Sequence, residues 1–189
     1  AYWDDIDIVV DGASMTVGGN GFAAMSRKEL LAVLQKRAVD FGVTIHFRTE
    51  APPVEQLMAE YDLVVGCDGI NSPIRERYAD HFGTTVDWRK CKFIWLGTDT
   101  VYDAFKFFVR HTEWGVMQVH AYPMDANGST FIVEMDEGTW RRAGFDKVDA
   151  ASLPPGVSDE ESIARLGEIF AEDLAGGSLI ANNSKWVTF

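Results

Sequence analysis

Asp62-Leu63-Val64-Val65-Gly66-Cys67-Asp68-Gly69-Ile70-Asn71-Ser72-Pro73-Ile74-Arg75 is the stretch that decides the fold. Its first half is almost continuously apolar, which predicts a strand buried on both faces, as in a parallel sheet. Asp68-Gly69 then predicts a tight turn. Ser72 is placed to cap a helix and Pro73 occupies the favoured first helical position. The reading is strand, tight loop, helix over Leu63 to Phe82. In open α/β sheets ligands gather at the carboxyl ends of strands. Asp68 can accept from a sugar hydroxyl, and Gly69 lets a backbone come close to a phosphate. A plain Asp-Gly turn satisfies the same residues.

Upstream, Ser26 and Glu29 form an S-x-x-E capping box. The helix it opens runs from about Arg27 to Phe41, with Leu30, Leu31, Leu34, Ala38 and Phe41 on one face and Gly42 at its end. Val43 to Phe47 reads as a strand, and Glu55 to Glu60 as a short helical turn. Ile6, Ile8 and Val10 alternate as in a strand before the Asp11-Gly12 turn. Gly19-Asn20-Gly21-Phe22-Ala23-Ala24 matches G-x-G-x-x-A, but the helix begins several residues too late for a dinucleotide fingerprint. A flexible loop is the better reading.

Downstream the texture changes. Lys92 to Thr98, Ala104 to Arg110, Gly115 to Pro123 and Ser129 to Met135 are strand-like and joined by short turns, which predicts an antiparallel meander. Glu137 to Ala143 reads as a short helix. Ser158 and Glu161 form a second capping box for a helix to about Leu174, which Gly176-Gly177 stops. On His120-Ala121-Tyr122-Pro123, alternation puts His120 and Tyr122 on one face. That pair is a candidate pocket wall, although two partly buried, hydrogen-bonded residues would look the same. Trp95, Phe107, Phe93 and Phe105 read more as core than pocket. Arg89, Lys90 and Lys92 form a small basic patch.

Composition sets outer bounds. The 189 residues hold 47% apolar and 24% charged residues, a globular composition for one large domain or two small ones. Seventeen bases against 29 acids give a net charge of −12, which argues against a nucleic-acid partner. The run from Asp149 to Asp173 has seven acids and one base, Arg165, and reads as a solvated helix face. No apolar run is long enough to span a membrane. Cys67 and Cys91 make no disulfide framework, so a cytoplasmic location is expected. His46, His81, His111 and His120 have no metal-ligand spacing, and no metal site is expected. There is no G-x-S-x-G, P-loop or H-E-x-x-H, so nucleophilic and metal-dependent hydrolysis have no support. Both termini are strand-like, which suggests a larger protein continuing on either side.

The stretch from Asp62 to Arg75 resembles the Asp-Gly motif of single-component FAD-dependent aromatic hydroxylases, the p-hydroxybenzoate hydroxylase fold. Met25 to Leu31 is similar to that family's Arg-containing helix start. Lys92 to Thr98, Tyr102 to Phe105, His120 to Tyr122 and Ser129 to Glu134 resemble one branch. It holds the salicylyl-CoA 5-hydroxylases, the anthraniloyl-CoA monooxygenases and, more distantly, a hydroxylase of violacein biosynthesis. The resemblance implies an oxidoreductase, a flavoprotein monooxygenase using FAD, NAD(P)H and O₂ on an aromatic substrate, most naturally an aryl-CoA. A free indole-type aromatic, a non-catalytic binding module and a flavin reductase are alternatives. It also implies an α/β (α+β) chain in two parts. Residues 1–84 would be an incomplete FAD-binding βαβ portion, and residues 85–189 an antiparallel substrate-side sheet with covering helices. Arg27, Asp68 and Gly69 would then contact FAD. His120, Tyr122 and Trp95 would line the substrate pocket. No catalytic acid or base is assigned.

Overall fold

In the computed structural model, which describes residues 2–149 and 152–188, the meander forms as read. Four long strands, β5 (Cys91–Thr98), β6 (Phe105–Thr112), β7 (Gly115–Asp125) and β8 (Gly128–Asp136), carry it. β6–β7 and β7–β8 pair antiparallel through short turns, as predicted, but β5 pairs with β8 and not with β6, because β8 returns to lie between β5 and β7. Two further strands, β2 (Ile6–Val10) and β3 (Ala13–Val17), form a hairpin on Asp11-Gly12. Asp11 and Gly12 both adopt positive φ there, 47° and 87°. β2 adds to β6 in parallel, with Ile8 opposite Phe107. Short β9 (Leu179–Ile180) and β10 (Val187–Thr188) pair with β5, so the sheet has eight strands in all. The two-residue strands β1 (Tyr2–Trp3) and β4 (Phe22–Ala23) pair separately. The G-x-G-x-x-A string therefore ends in a strand rather than opening a helix.

One face of the large sheet carries the core. Ile94, Leu96, Phe108, Met117, Val119 and Phe131 are buried there. Against them pack α5 (Glu137–Arg142), a 3-10 turn at Phe145–Lys147 and α6 (Glu160–Ile169). The segment after α6 adds Phe170 and Leu174. The α6 cap is a correction. Asp159, not Ser158, accepts from Ser162 N (3.0 Å) and from Ser162 Oγ (2.7 Å). Ser158 Oγ instead accepts from Ser184 N at 2.9 Å, which holds the C-terminal segment. Adjacent Ser and Asp are both competent caps, and tertiary pairing decides between them. Phe189 of the expected terminal strand and Ala150-Ala151 of the Asp146 to Val157 loop lie outside the described residues.

The chain divides into two units, residues 1–30 with 88–189, and residues 31–87. The later boundary falls close to the expected 84/85, but the first thirty residues go with the sheet because β2 pairs with β6. Helix α1 (Arg27–Asp40) starts at its capping box, with Glu29 N donating to Ser26 Oγ at 3.2 Å. Residues 31–87 also hold α2 (Val54–Glu60), α3 (Pro73–Arg77) and α4 (Ala79–Phe82). The expected strands at Val43 to Phe47 and Leu63 to Cys67 do not form. Both segments lack a ladder partner among the described residues, and Leu63 is 79% exposed. A strand exists only when a neighbour takes its backbone hydrogen bonds.

Candidate functional site

The second face of the large sheet is where the predicted pocket residues meet. Along β7, Met117, Val119 and Ala121 point into the core, so Gln118, His120 and Tyr122 point the other way. Register then fills in the surround. His120 lies between Ile132 of β8 and Phe107 of β6, and Trp95 of β5 sits opposite Ile132. Gln118 is opposite Glu134, and Tyr122 is opposite Thr130. Trp95, His120 and Tyr122 thus share one face.

That face is aromatic. Phe105 packs on Tyr122 (ring centroids 5.3 Å), Phe107 (4.8 Å) and Phe22 (6.0 Å). Trp3, itself buried, stacks on Tyr122 at 6.0 Å. Phe107 meets the His120 ring edge-on at 4.9 Å. Such pairs stabilise by area and by quadrupole alignment. Trp95 stays 49% exposed. A cleft of about 430 Å³ opens beside it, lined also by Gly97, Met124, Thr130 and Ile180. Trp95 therefore reads as a wall residue rather than core.

Three polar groups interrupt the aromatic wall. Gln118 Nε2 and His120 Nε2 lie 2.7 Å apart. An amide nitrogen can only donate, so with this amide placement His120 Nε2 accepts and the ring proton sits on Nδ1. Glu134 Oε2 lies 3.8 Å from the same Nε2. Its negative charge also reaches Cys91, whose thiol is pushed up by burial first and by Glu134 second.

The Asp68-Gly69 turn is the second candidate, within residues 31–87. Asp68 accepts from Ile74 N at 3.3 Å. The Ser72 hydroxyl beside it holds its carboxyl below the usual range, against a smaller opposing effect of burial. Ser72 Oγ caps α3 by accepting from Arg75 N at 2.9 Å. The Arg75 guanidinium donates to the Ile70 carbonyl and pins the turn from its far side. Gly69 has φ +89°, and no atom stands within 4 Å of where a Cβ would be. An exposed anionic acceptor beside an open glycine backbone fits a ligand that carries hydroxyls and phosphates. Arg27, the first residue of α1, is exposed.

Other expectations resolve differently. Lys92 turns to the helix-covered side, donates to Thr188 Oγ1 at 2.6 Å and stands 5.0 Å over the Trp140 ring. Cys67 and Cys91 are free. Among the described residues no cluster of three His, Cys, Asp or Glu could hold a metal, and no helix is long and apolar enough to cross a membrane. Gln118, Glu134, Trp3 and Phe22 were not anticipated. Alternation alone assigns Gln118 to the His120 face, but Glu134 needs the β7–β8 register and Trp3 needs the β1–β4 pairing.

No protein-family model matches the chain. Salicyloyl-CoA 5-hydroxylase from Streptomyces sp is 44% identical over 188 residues, spanning all of this chain and 36% of that protein. 3-Hydroxy-4-methyl-anthranilyl-[aryl-carrier protein] 5-monooxygenase from Streptosporangium sibiricum is 33% identical over 187 residues, 99% of this chain and 46% of that one. The crystal structure of PqsL from Pseudomonas aeruginosa, described as a probable FAD-dependent monooxygenase, superposes with TM-score 0.61 at 17% identity. It covers the whole chain and 55% of PqsL. Over its whole length the chain is thus similar to a hydroxylase and a monooxygenase, and it shares the fold of PqsL. It spans less than half the length of the two curated relatives. The 188 residues aligned with the Streptomyces protein span both the Asp68-Gly69 turn and the aromatic face.

Proposed function

We propose that the chain supplies the substrate-side sheet and part of the cofactor-binding region of an FAD-dependent monooxygenase that hydroxylates an aromatic acyl thioester. The observation that carries this reading is the aromatic face, where Trp95, Phe107, His120 and Tyr122 line a wall broken by a few polar groups. Walls of that kind bind flat, partly polar ligands. The thioester follows from the relatives' names, one a CoA ester and the other a carrier-protein ester.

In this reading Asp68 and Gly69 hold the ribose and pyrophosphate of FAD. FAD, reduced by NAD(P)H, supplies the activation of O₂ and the delivery of one oxygen atom to an electron-rich ring. The protein's part is positioning. Phe107 and Trp95 take the ring by stacking. Trp3 and Phe105 close one end of the wall against water. His120 accepts from Gln118 at Nε2 and keeps a proton on Nδ1.

The test compares 2-hydroxybenzoyl-CoA with free 2-hydroxybenzoate. The full reading frame encoding this chain is expressed with FAD and NAD(P)H, and oxygen incorporation is followed by mass. Hydroxylated thioester at a rate well above the free acid is the expected result. NAD(P)H oxidation with no oxygen in either product defeats the reading in favour of a reductase.

A further inference from the structure

Glu134 is the least explained side chain on the aromatic face. Its side chain is only 20% exposed. Its neighbours across the ladder are Phe93 and Gln118. No Lys or Arg pairs with it among the described residues, and its recorded polar neighbour there is His120 at 3.8 Å, beyond hydrogen-bond range. A half-buried carboxylate on an apolar wall, with no donor within hydrogen-bond distance, can accept from a donor that a ligand brings. Elsewhere in the same sheet unit the part-buried carboxylates are answered. Asp7 has Lys106 and Thr16, and Asp173 has Arg110.

We infer that Glu134 is a specificity-determining residue. It accepts a hydrogen bond from a hydroxyl or amino group on the substrate's aromatic ring. This rests on the proposed function, since it requires a ring to lie on this face. The geometry around Glu134 supports a fixed acceptor. Gln118 and His120 hold each other at 2.7 Å, so neither amide nor imidazole turns to satisfy the carboxylate. Trp95, on the same face and diagonal to it across the β5–β8 ladder, supplies exposed flat apolar surface, so a ring can stack while one substituent reaches the oxygen. The selected ligand is therefore an aryl thioester with a ring O–H or N–H donor. A benzoyl or methoxybenzoyl thioester fills the same wall but brings no donor to Glu134, and a site that hydrogen-bonds a substrate hydroxyl or amine discriminates against analogues that lack it.

The test measures Kd and KM of the FAD-loaded full-length protein for 2-hydroxybenzoyl-CoA, 2-methoxybenzoyl-CoA and benzoyl-CoA, in wild type and Glu134→Gln. Wild type should prefer the hydroxylated thioester by roughly 10- to 100-fold, the range of one hydrogen bond to a charged group. Glu134→Gln should lose most of that preference while its affinity for benzoyl-CoA stays within about twofold. Should Glu134→Gln fail to fold, Glu134→Asp, which keeps the charge but shortens its reach, should lose part of the preference. Preference that survives in the variants overturns the inference and leaves the proposed function standing. A wild type that binds none of the three thioesters overturns both.

Discussion

Arg110 Nε lies 2.8 Å from Asp173 Oδ2 and ties β6 to the segment after α6. The pair is well shielded, with side chains 17% and 4% exposed. Arg110 also reaches Glu172 at 3.1 Å, and Tyr102 Oη donates to the Asp173 carbonyl. Removing one partner of such a pair leaves the other's charge buried. Asp173→Ala should therefore cost about 3 kcal/mol in urea denaturation. Glu172→Ala, at an exposed position, should cost less than about 1 kcal/mol.

The two sheet faces predict opposite mutational profiles. Phe131 is fully buried on the core face, and Phe131→Ala should cost about 4 kcal/mol of stability. Trp95 on the open face should lose less than about 1 kcal/mol as Trp95→Ala. It should nonetheless weaken binding of an aromatic thioester about tenfold, read by titration calorimetry.

Gly115 opens β7 with φ +134°, and an added Cβ would stand 2.2 Å from Thr139 Oγ1 on α5. Gly115→Ala should lower stability by at least about 2 kcal/mol, since both the dihedral and the contact are unfavourable. A thermal midpoint unchanged within a degree would contradict this.

Asp7 couples stability to pH. Its carboxyl is held below the ordinary value of 3.8, first by the hydrogen bond from Lys106 and then by that from Thr16. A depressed folded pKa binds fewer protons in the folded state, so the contribution is complete above pH 3.8 and fades as pH falls through the folded value. The stability gap between wild type and Asp7→Asn should be constant near neutrality and close below pH 3.8. A gap that persists to the lowest pH at which both proteins fold would contradict this linkage.

The Asp68-Gly69 turn separates folding from cofactor binding. Ser72→Ala removes the α3 cap and should cost about 1 kcal/mol. Asp68→Asn should weaken FAD about tenfold or more, followed by flavin fluorescence, if the turn holds the ribose as proposed. Equal FAD affinity in wild type and Asp68→Asn would remove that assignment.

Local signals carried most of the legible fold. The four meander strands, the α1 capping box and the Ser72-Pro73 start of α3 were readable because each depends on residues a few positions apart. The parallel β2–β6 pairing was not, since nothing in Ile6 to Val10 names a partner about a hundred positions away. Leu63 to Cys67 shows the converse. Its composition reads as a buried strand, yet a strand needs a partner's backbone as well as apolar side chains. Within the candidate site, alternation alone places His120 and Tyr122 on one face, as the structure does. For Trp95 the residue pattern favours core and the resemblance a pocket wall; its exposure follows from what packs above it, which no local pattern states. Glu134 became visible only through register.

The parallel pairing of β2 with β6 also sets an order of events in time. Ile8 leaves the ribosome well before Phe107, its partner. At about 5–20 residues per second the β2–β3 hairpin waits roughly 5–20 s for that strand to exist. During this interval the edge that will meet β6 is bare and apolar, a surface chaperones recognise. The β2–β3 hairpin can close through its own turn, but its other edge is satisfied only once β6 has been made.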